Sequence, residues 1–148
     1  MAQTAAATIV HQWQGRFQGP LLTASDAGYD SARRIWNGMI DRRPALIARC
    51  SSEHDIRTAV KLAKAEGLVV SVRGGGHGVA GTAVCDGGLR IDLSGRKDIR
   101  VDPAAREAVA APGLLWGEFD AATEAHGLAT PGGQVSHTGI AGLTLGGQ

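Results

Sequence analysis

The sequence has 148 residues, of which 43% are hydrophobic, and a formal net charge of +1 at pH 7. This length suits one domain with a core of its own, and so small a net charge argues against the strongly basic surface of a nucleic-acid-binding protein. No run approaches the roughly 20 apolar residues that a membrane helix needs, so neither nucleic acid nor a membrane is predicted as a partner.

The N-terminus and the cysteines indicate where the protein works. The opening MAQTAAATIV lacks the basic region and the long apolar core of a secretory signal. Cys50 and Cys85 form no C-x-x-C pair, so we interpret them as buried free thiols and predict no metal site. Both features favour a cytoplasmic location.

Residues 1–28 show little periodicity and are predicted to form an irregular arm, with short structure near its end. Residues 29–148 are predicted to form the domain proper. This part begins with a short helix in YDSARRIWNGM, capped by Asp30 or Ser31 and ended by Asn37-Gly38. The segment PALIARC that follows is predicted as a strand.

The clearest predicted helix begins after Ser52, which is a suitable N-cap with Asp55 three residues further on. Its apolar residues recur at helical spacing, which predicts one buried face. That face consists of Ile56, Ala59, Val60 and Ala63. Gly67 marks the end of the helix, and LVVSV is typical of a buried strand. Strand, helix and strand in about 30 residues predict a right-handed crossover with parallel pairing.

Further along the chain, GLRIDLS, DIRVD and REAVAA are predicted as the strands of an antiparallel meander, with a turn at Asp102-Pro103. A second helix is predicted from Leu115 to His126, with Gly127 as its stop. The final ATPGGQVSHTGIAGLTLGG is too rich in glycine to predict a helix. The predicted fold is therefore α+β, with a small parallel βαβ unit beside an antiparallel sheet.

The most unusual stretch is SVRGGGHGVAGTAV, residues 71–84. Gly76, Gly78 and Gly81 match G-x-G-x-x-G, but a dinucleotide site of the Rossmann type needs a helix directly afterwards, and TAVCDGGLRIDLS has no helical period. No glycine is followed by Lys-Ser or Lys-Thr, which argues against a P-loop. Two interpretations stay open: a nest of backbone N–H groups that binds phosphate, or a sharp uncharged turn.

His77 is the one imidazole inside this loop. As a metal ligand it lacks partners, because His54, His126 and His137 are scattered with no H-x-H or H-x-x-x-H spacing. No carboxylate near it in sequence would orient it as a general base. A neutral imidazole is also a nucleophile, and a glycine loop presents it to a ligand with little steric hindrance.

The motifs RGGGH, GGLRIDLS, VDP and TPGGQVSHTGIAGLTLGG occur in this order. In this combination the chain resembles the FAD-binding, PCMH-type domain of the FAD-linked oxidases, the vanillyl-alcohol oxidase and p-cresol methylhydroxylase superfamily. Within it, the sequence is most similar to the bacterial berberine-bridge-enzyme-like branch. The resemblance extends from Tyr29 to Gly147.

The resemblance implies roles for two groups of residues. The first loop wraps the pyrophosphate of FAD, and His77 bonds covalently to the 8α-methyl group of the flavin. The loop residues implied in binding are Arg73, Gly74, Gly75, Gly76, His77 and Gly78. The second glycine segment lines the cofactor, with contacts expected from Pro131, Gly132, Gly133, Ser136, Thr138, Gly139 and Gly142. Val135 stands where some members carry a second linking cysteine, so one covalent link at most is implied.

Members of this family read Leu-Gly-Gly-Gly near the end of this chain and continue much further, whereas this sequence reads LGGQ. The resemblance therefore predicts a domain incomplete at its C-terminus, without the substrate domain and the catalytic base. The implied function is the FAD-binding portion of a flavin-dependent oxidase that passes electrons to O₂. Alone, it is expected to be inactive and to hold FAD weakly or not at all. The alternative is a non-catalytic remnant that self-associates through exposed surface and holds no FAD. Whether the chain is itself an enzyme stays open.

Overall fold

A computed structural model describes residues 2–146. A four-stranded sheet has the strand order β1-β2-β4-β3, and a separate two-stranded sheet pairs β5 with β6. The strands are β1 (Leu21–Leu22), β2 (Leu46–Arg49), β3 (Val70–Arg73), β4 (Leu89–Asp92), β5 (Ile99–Asp102) and β6 (Glu107–Ala110). The helices are α1 (Ala2–Trp13), α2 (Tyr29–Arg33), α3 (Glu53–Ala65), α4 (Trp116–Glu124) and α5 (Ile140–Gly146).

The predicted strand–helix–strand unit forms as β2, α3 and β3, and its two strands run parallel. They are not neighbours, however, because β4 lies between them and pairs in parallel with both. The prediction that β4 belongs to an antiparallel meander is therefore wrong. Its alternating pattern suggested one exposed face, but both faces of β4 are covered, and Arg90 and Asp92 are buried with Leu89 and Ile91.

The strand β3 lies at an edge of the sheet. The prediction that it is buried is wrong, because Val70 is 42% exposed and Val72 is 53% exposed. An apolar run in the sequence does not distinguish a central strand from an edge strand, since both have the same local pattern.

Helix α3 packs on the sheet as predicted, with its N-cap confirmed: the Ser52 hydroxyl accepts a hydrogen bond from the Asp55 backbone N–H at 3.2 Å. Ala59 and Ala63 are buried, but the prediction that Val60 shares their face is wrong, because it is half exposed. The buried face is rotated to include Asp55, whose carboxylate has hydrogen-bond partners in the interior.

The predicted irregular N-terminal arm contains helix α1 and strand β1, so that prediction is wrong for this stretch. Its apolar residues Ala6, Phe17 and Leu21 belong to the core that α3, β2 and β4 build. Long-range packing fixes this segment, which explains why its own sequence shows little periodicity. Helix α2 is also shorter than predicted, and its N-cap is Gly28, not Asp30 or Ser31.

Downstream, the hairpin β5–β6 and helix α4 confirm the predicted elements, and Gly127 follows α4 with a φ of 66°. The second core holds Leu114, Trp116, Phe119 and Ile140. Helix α5 corrects the expectation that the final glycine-rich segment forms no helix, because burial of Ile140 anchors its first turn. None of the helices within residues 2–146 has the length and apolar character to cross a bilayer.

Candidate cofactor-binding groove

A groove of about 420 Å³ opens where β3 ends and the chain enters the first glycine loop. We call residues 74–86 the His77 loop and residues 131–146 the second glycine segment. These two stretches, with the end of β3, form the groove. Its lining comprises Val72, Gly74, Gly75, Gly76, His77, Gly78, Val79, Thr82, Ala83, Thr138, Gly139, Gly142, Leu143 and Gly146. Among the described lining residues, His77 is the one with an ionisable side chain, and none is Lys or Arg.

The backbone of the His77 loop presents unpaired donors. Within the part of the chain that the structure describes, none of the N–H groups of residues 74–78 donates to a protein acceptor. Gly76 is buried and has a φ of 70°, in the left-handed region that glycine adopts readily. Successive N–H groups with one left-handed residue form the concave arrangement that binds anions. The loop therefore matches the phosphate-nest interpretation better than the uncharged-turn interpretation.

The two glycine stretches touch through their backbones. A Cβ placed on Gly75 would lie 2.5 Å from the Cα of Gly139, and one on Gly74 would lie 2.7 Å from the carbonyl oxygen of Pro112. A side chain at Gly75 would push the two glycine stretches apart, and one at Gly74 would collide with the chain between β6 and α4. In contrast, Gly78 and Gly142 face open space, so these two leave room in the groove.

The His77 imidazole contacts two other aromatic rings. The Trp36 indole stacks on it, with 4.7 Å between ring centroids and 24° between planes. The His137 ring is tilted by 52° with its centroid 4.9 Å away. The Nε2 atom of His77 is buried and has no hydrogen-bond partner among the described residues. A buried ring nitrogen without a partner is rare in proteins and calls for an explanation.

The structure brings together eight of the predicted binding residues as lining of the groove: Gly74, Gly75, Gly76, His77, Gly78, Thr138, Gly139 and Gly142. It places five outside the lining: Arg73, Pro131, Gly132, Gly133 and Ser136. Gly132 and Gly133 pack directly on the Trp116 indole, which leaves no space for a side chain at either. The carbonyl of Ser136 accepts a hydrogen bond from the Gly117 N–H at 2.9 Å. These residues anchor the second glycine segment to α4.

Arg73 supports the His77 loop at its base. Its Nη1 donates to the Ala32 carbonyl at 3.3 Å, and the fully buried Arg90 donates to the same oxygen at 2.8 Å. Burial, together with the nearby charge of Arg73, lowers the pKa of Arg90 to about 10. The two guanidinium groups thus connect the end of α2 to β3 and β4, where the loop begins.

Neither cysteine is among the described lining residues of the groove, and both are free. Burial raises the pKa of the Cys50 thiol to about 12, which makes it an unreactive core residue as predicted. The prediction that Cys85 is buried is wrong, because it is only half-buried. It forms no disulfide, and the Ser71 hydroxyl donates a hydrogen bond to its sulfur at 3.3 Å. Val135, at the position of a possible second link, is 43% exposed and is not part of the lining.

Sequence reasoning did not predict the roles of Trp36 and His137 around His77. Trp36 lies in the segment between α2 and β2, far from the loop in sequence, and no local motif connects the two. His137 lies within the second glycine segment, but its spacing from His77 fits no ligand pattern. Val72 and Leu143 are further lining residues, and their apolar character gave no signal beyond core packing.

A glycine-lined groove with a nest of backbone donors at the end of a parallel strand defines a nucleotide-cofactor domain. Residues 44–148 match the protein family described as "FAD binding domain". The chain belongs to this family, and its cofactor is FAD. The described residues fit the group, since the unpaired N–H groups suit its phosphates and the bare glycines leave space for it.

Similar proteins carry the same domain. Over 130 residues the chain is 38% identical to (R)-6-hydroxynicotine oxidase of Paenarthrobacter nicotinovorans, covering 88% of this chain and 28% of that protein. It is 34% identical to an FAD-linked oxidoreductase of Dictyostelium discoideum, covering 96% of this chain and 31% of that one. The chain thus spans less than a third of the length of these relatives.

Solved structures agree with this assignment. The crystal structure of 6-hydroxy-D-nicotine oxidase from Arthrobacter nicotinovorans has a TM-score of 0.84 and 37% identity, covering 86% of this chain and 28% of that chain. The structure of BBE-like 1 from Physcomitrella patens has a TM-score of 0.83 and 25% identity, with coverages of 95% and 30%. The PCMH-type FAD-binding fold predicted from the sequence motifs is confirmed.

Proposed function

We propose that the groove binds the pyrophosphate of FAD through the backbone N–H groups of residues 74–78. The observation that carries this proposal is the set of unpartnered donors on one loop, in a groove whose described lining contains no Lys or Arg. Backbone donors satisfy a phosphate by hydrogen bonding and by their aligned dipoles. The bound flavin supplies an acceptor for an electron pair.

His77 is the residue that attaches the flavin covalently. Its ring lines the groove, and no described residue forms a hydrogen bond with either ring nitrogen. The new bond joins an imidazole nitrogen to the 8α carbon and replaces the imidazole N–H and one methyl C–H. The two electrons and two protons released reduce one O₂ to H₂O₂, which balances the reaction. With Val135 at the other position, a single link forms.

The activity of a longer enzyme built on this domain is an oxidation that takes a hydride from an alcohol-type or amine-type carbon and delivers the electrons to O₂. Support comes from the resemblance and from the relative named (R)-6-hydroxynicotine oxidase. The contribution of the present residues is cofactor binding, from Arg73 at the base of the His77 loop to Thr138 and Gly142 across the groove.

An FAD titration followed by flavin fluorescence tests the binding proposal. Gly142→Leu places a side chain in the groove, where nothing lies near the glycine, and is expected to weaken FAD binding by at least about tenfold, or 1.4 kcal/mol. Helix α5 tolerates it, since leucine is a better helix former than glycine. Thr144→Leu introduces the same residue into the same helix outside the lining and serves as the control. Equal affinities of both variants and the parent would contradict the proposed site.

The second candidate is a self-associating domain, and the exposed edge of β3 favours it. Val70 and Val72 are exposed there beside unpaired strand-edge groups, which are prone to pairing with another strand. A second copy of the chain pairing at β3 covers this edge, and we expect light scattering to show a dimer or larger species. A clean monomer of 15.2 kDa at high concentration would contradict it. Val72 lies on the β3 edge and also lines the groove. Dissociation of the dimer by FAD would therefore support both candidate functions, self-association at β3 and FAD binding in the groove.

A further inference from the structure

A segment that precedes the residues matching the FAD-binding family runs along the His77 loop. We call residues 34–43 the strap; they lie between α2 and β2, before the family match begins at residue 44. Three strap residues hold loop carbonyls by hydrogen bonds: Trp36 N to Gly76 O at 3.0 Å, Asn37 Nδ2 to Val79 O at 2.8 Å, and Arg42 Nη1 to Gly81 O at 3.0 Å and Val84 O at 3.1 Å. The strap therefore restrains a loop whose glycines give it little rigidity of their own.

Within the strap, Trp36 makes two different contacts, one with His77 and one with the residue before it. Its backbone N–H holds Gly76, the residue before His77, and its indole stacks on the His77 ring at 4.7 Å. Trp36 is nevertheless 57% exposed. This side chain therefore contributes little to the core. Its stacking contact is with His77, so we expect it to affect the orientation of His77 more than the stability of the fold.

We propose that Trp36 is a positioning residue for His77 and that its indole holds the imidazole plane ready for bond formation with the flavin. This inference rests on the proposed covalent role of His77. Attack by a nucleophile is fast only when its ring is held in line with the target atom. Stacking fixes the plane of the ring without a hydrogen bond to its nitrogens, so a nitrogen stays available as the nucleophile.

The test compares Trp36→Leu, which removes the aromatic ring, with Trp36→Phe, which keeps one. Met39→Ala is the matched control, because Met39 is an exposed strap residue without a ring contact to His77. Circular dichroism verifies that each variant is folded. Each substitution is made in a longer enzyme built on this domain, the enzyme is incubated with FAD at saturating concentration, and covalently bound flavin is measured over time after acid precipitation. We expect attachment to slow by about tenfold in Trp36→Leu, and to stay near the parent rate in Trp36→Phe and Met39→Ala.

A second measurement needs no flavin. The ring current of a stacked indole moves the NMR signals of the His77 ring protons upfield, and this displacement is expected in the parent and in Met39→Ala but not in Trp36→Leu. Ring-proton positions unchanged by Trp36→Leu, or attachment as fast as in the parent, would overturn the positioning role alone. A parent chain that attaches no flavin, with its ring protons displaced, would instead overturn the proposed covalent function on which that role depends.

Discussion

Changing His77 to Ala is expected to abolish covalent flavin attachment completely. In a longer enzyme built on this domain, incubation with saturating FAD is expected to add the mass of one FAD less two hydrogens to the parent, whereas the His77→Ala enzyme keeps its own mass. The physical reason is that His77 provides the one imidazole among the described lining residues of the groove, and a neutral imidazole is a better nucleophile than the hydroxyls of Thr82 and Thr138 there. Intact-protein mass spectrometry makes the measurement, and it detects a bond that survives denaturation even where equilibrium binding is weak.

The matched control is His126→Ala, which removes an exposed imidazole at the end of α4, away from the groove. This variant is expected to gain the flavin mass like the parent. Noncovalent FAD binding by His77→Ala, followed by fluorescence, separates loss of the bond from loss of the site. If the parent releases all of its flavin in acid, the covalent role of His77 is wrong, and the loop has only a binding or structural role.

Replacing Asp55 with Asn is expected to lower the free energy of unfolding by about 3 kcal/mol. Asp55 is fully buried. Its carboxylate accepts hydrogen bonds from the backbone N–H groups of Gln18 at 2.8 Å, Gly19 at 3.1 Å and Ser51 at 2.9 Å, and from the Ser51 hydroxyl at 2.9 Å. An amide loses the charge and one acceptor oxygen, so at least one of these buried donors is left unsatisfied. Urea unfolding measures the loss.

The same carboxylate gives the stability a pH dependence. Burial alone would raise the pKa of Asp55, but the hydrogen bonds from Gln18, Ser51 and Gly19 outweigh it and hold the pKa below its ordinary value. Because the folded pKa is the lower one, the contribution of Asp55 is fully present above the unfolded value of about 3.9 and is lost as the pH falls through the folded value. We therefore expect the difference between parent and Asp55→Asn to shrink below about pH 4.

Glu53→Gln is the control for both measurements. Glu53 lies in the same first turn of α3, but it is exposed, and its one ion pair with a described residue is that with Arg57 at 3.3 Å. An exposed pair contributes at most about 1 kcal/mol, so this variant is expected to unfold nearly like the parent. Equal stabilities of Asp55→Asn and Glu53→Gln would show that Asp55 does not anchor the N-terminal segment.

Elements with strong local signals were predictable. The N-cap Ser52 and the stop at Gly67 define α3, the Asp102-Pro103 turn defines the hairpin β5–β6, and Gly127 ends α4. In each case the determining interaction connects residues only a few positions apart. The composition of the His77 loop was equally informative, because runs of glycine expose backbone wherever they occur.

Predictions failed where distant segments decide the outcome. The position of β4 between β2 and β3 depends on the path by which the chain returns to the sheet after the His77 loop. As a result Arg90 is buried, although the alternating pattern of its strand suggested an exposed face. Helix α1 is part of the core only because α3 and the sheet supply a surface for Ala6. Helix α5 forms within glycine-rich sequence because Ile140 is buried against Leu114 and its neighbours.

The sequence by itself determined the family and the cofactor, because the glycine motifs and His77 are contiguous stretches whose chemistry does not depend on distant partners. Only the tertiary structure decided which of those residues share one groove. Gly74 to Gly78 meet Thr138, Gly139 and Gly142 there, whereas Gly132 and Gly133 pack on Trp116 instead. It also decided that Trp36 stacks on His77. The physical reason is that hydrogen bonding and glycine conformation act locally along the chain, whereas stacking and close backbone approach depend on the folded path of the whole chain.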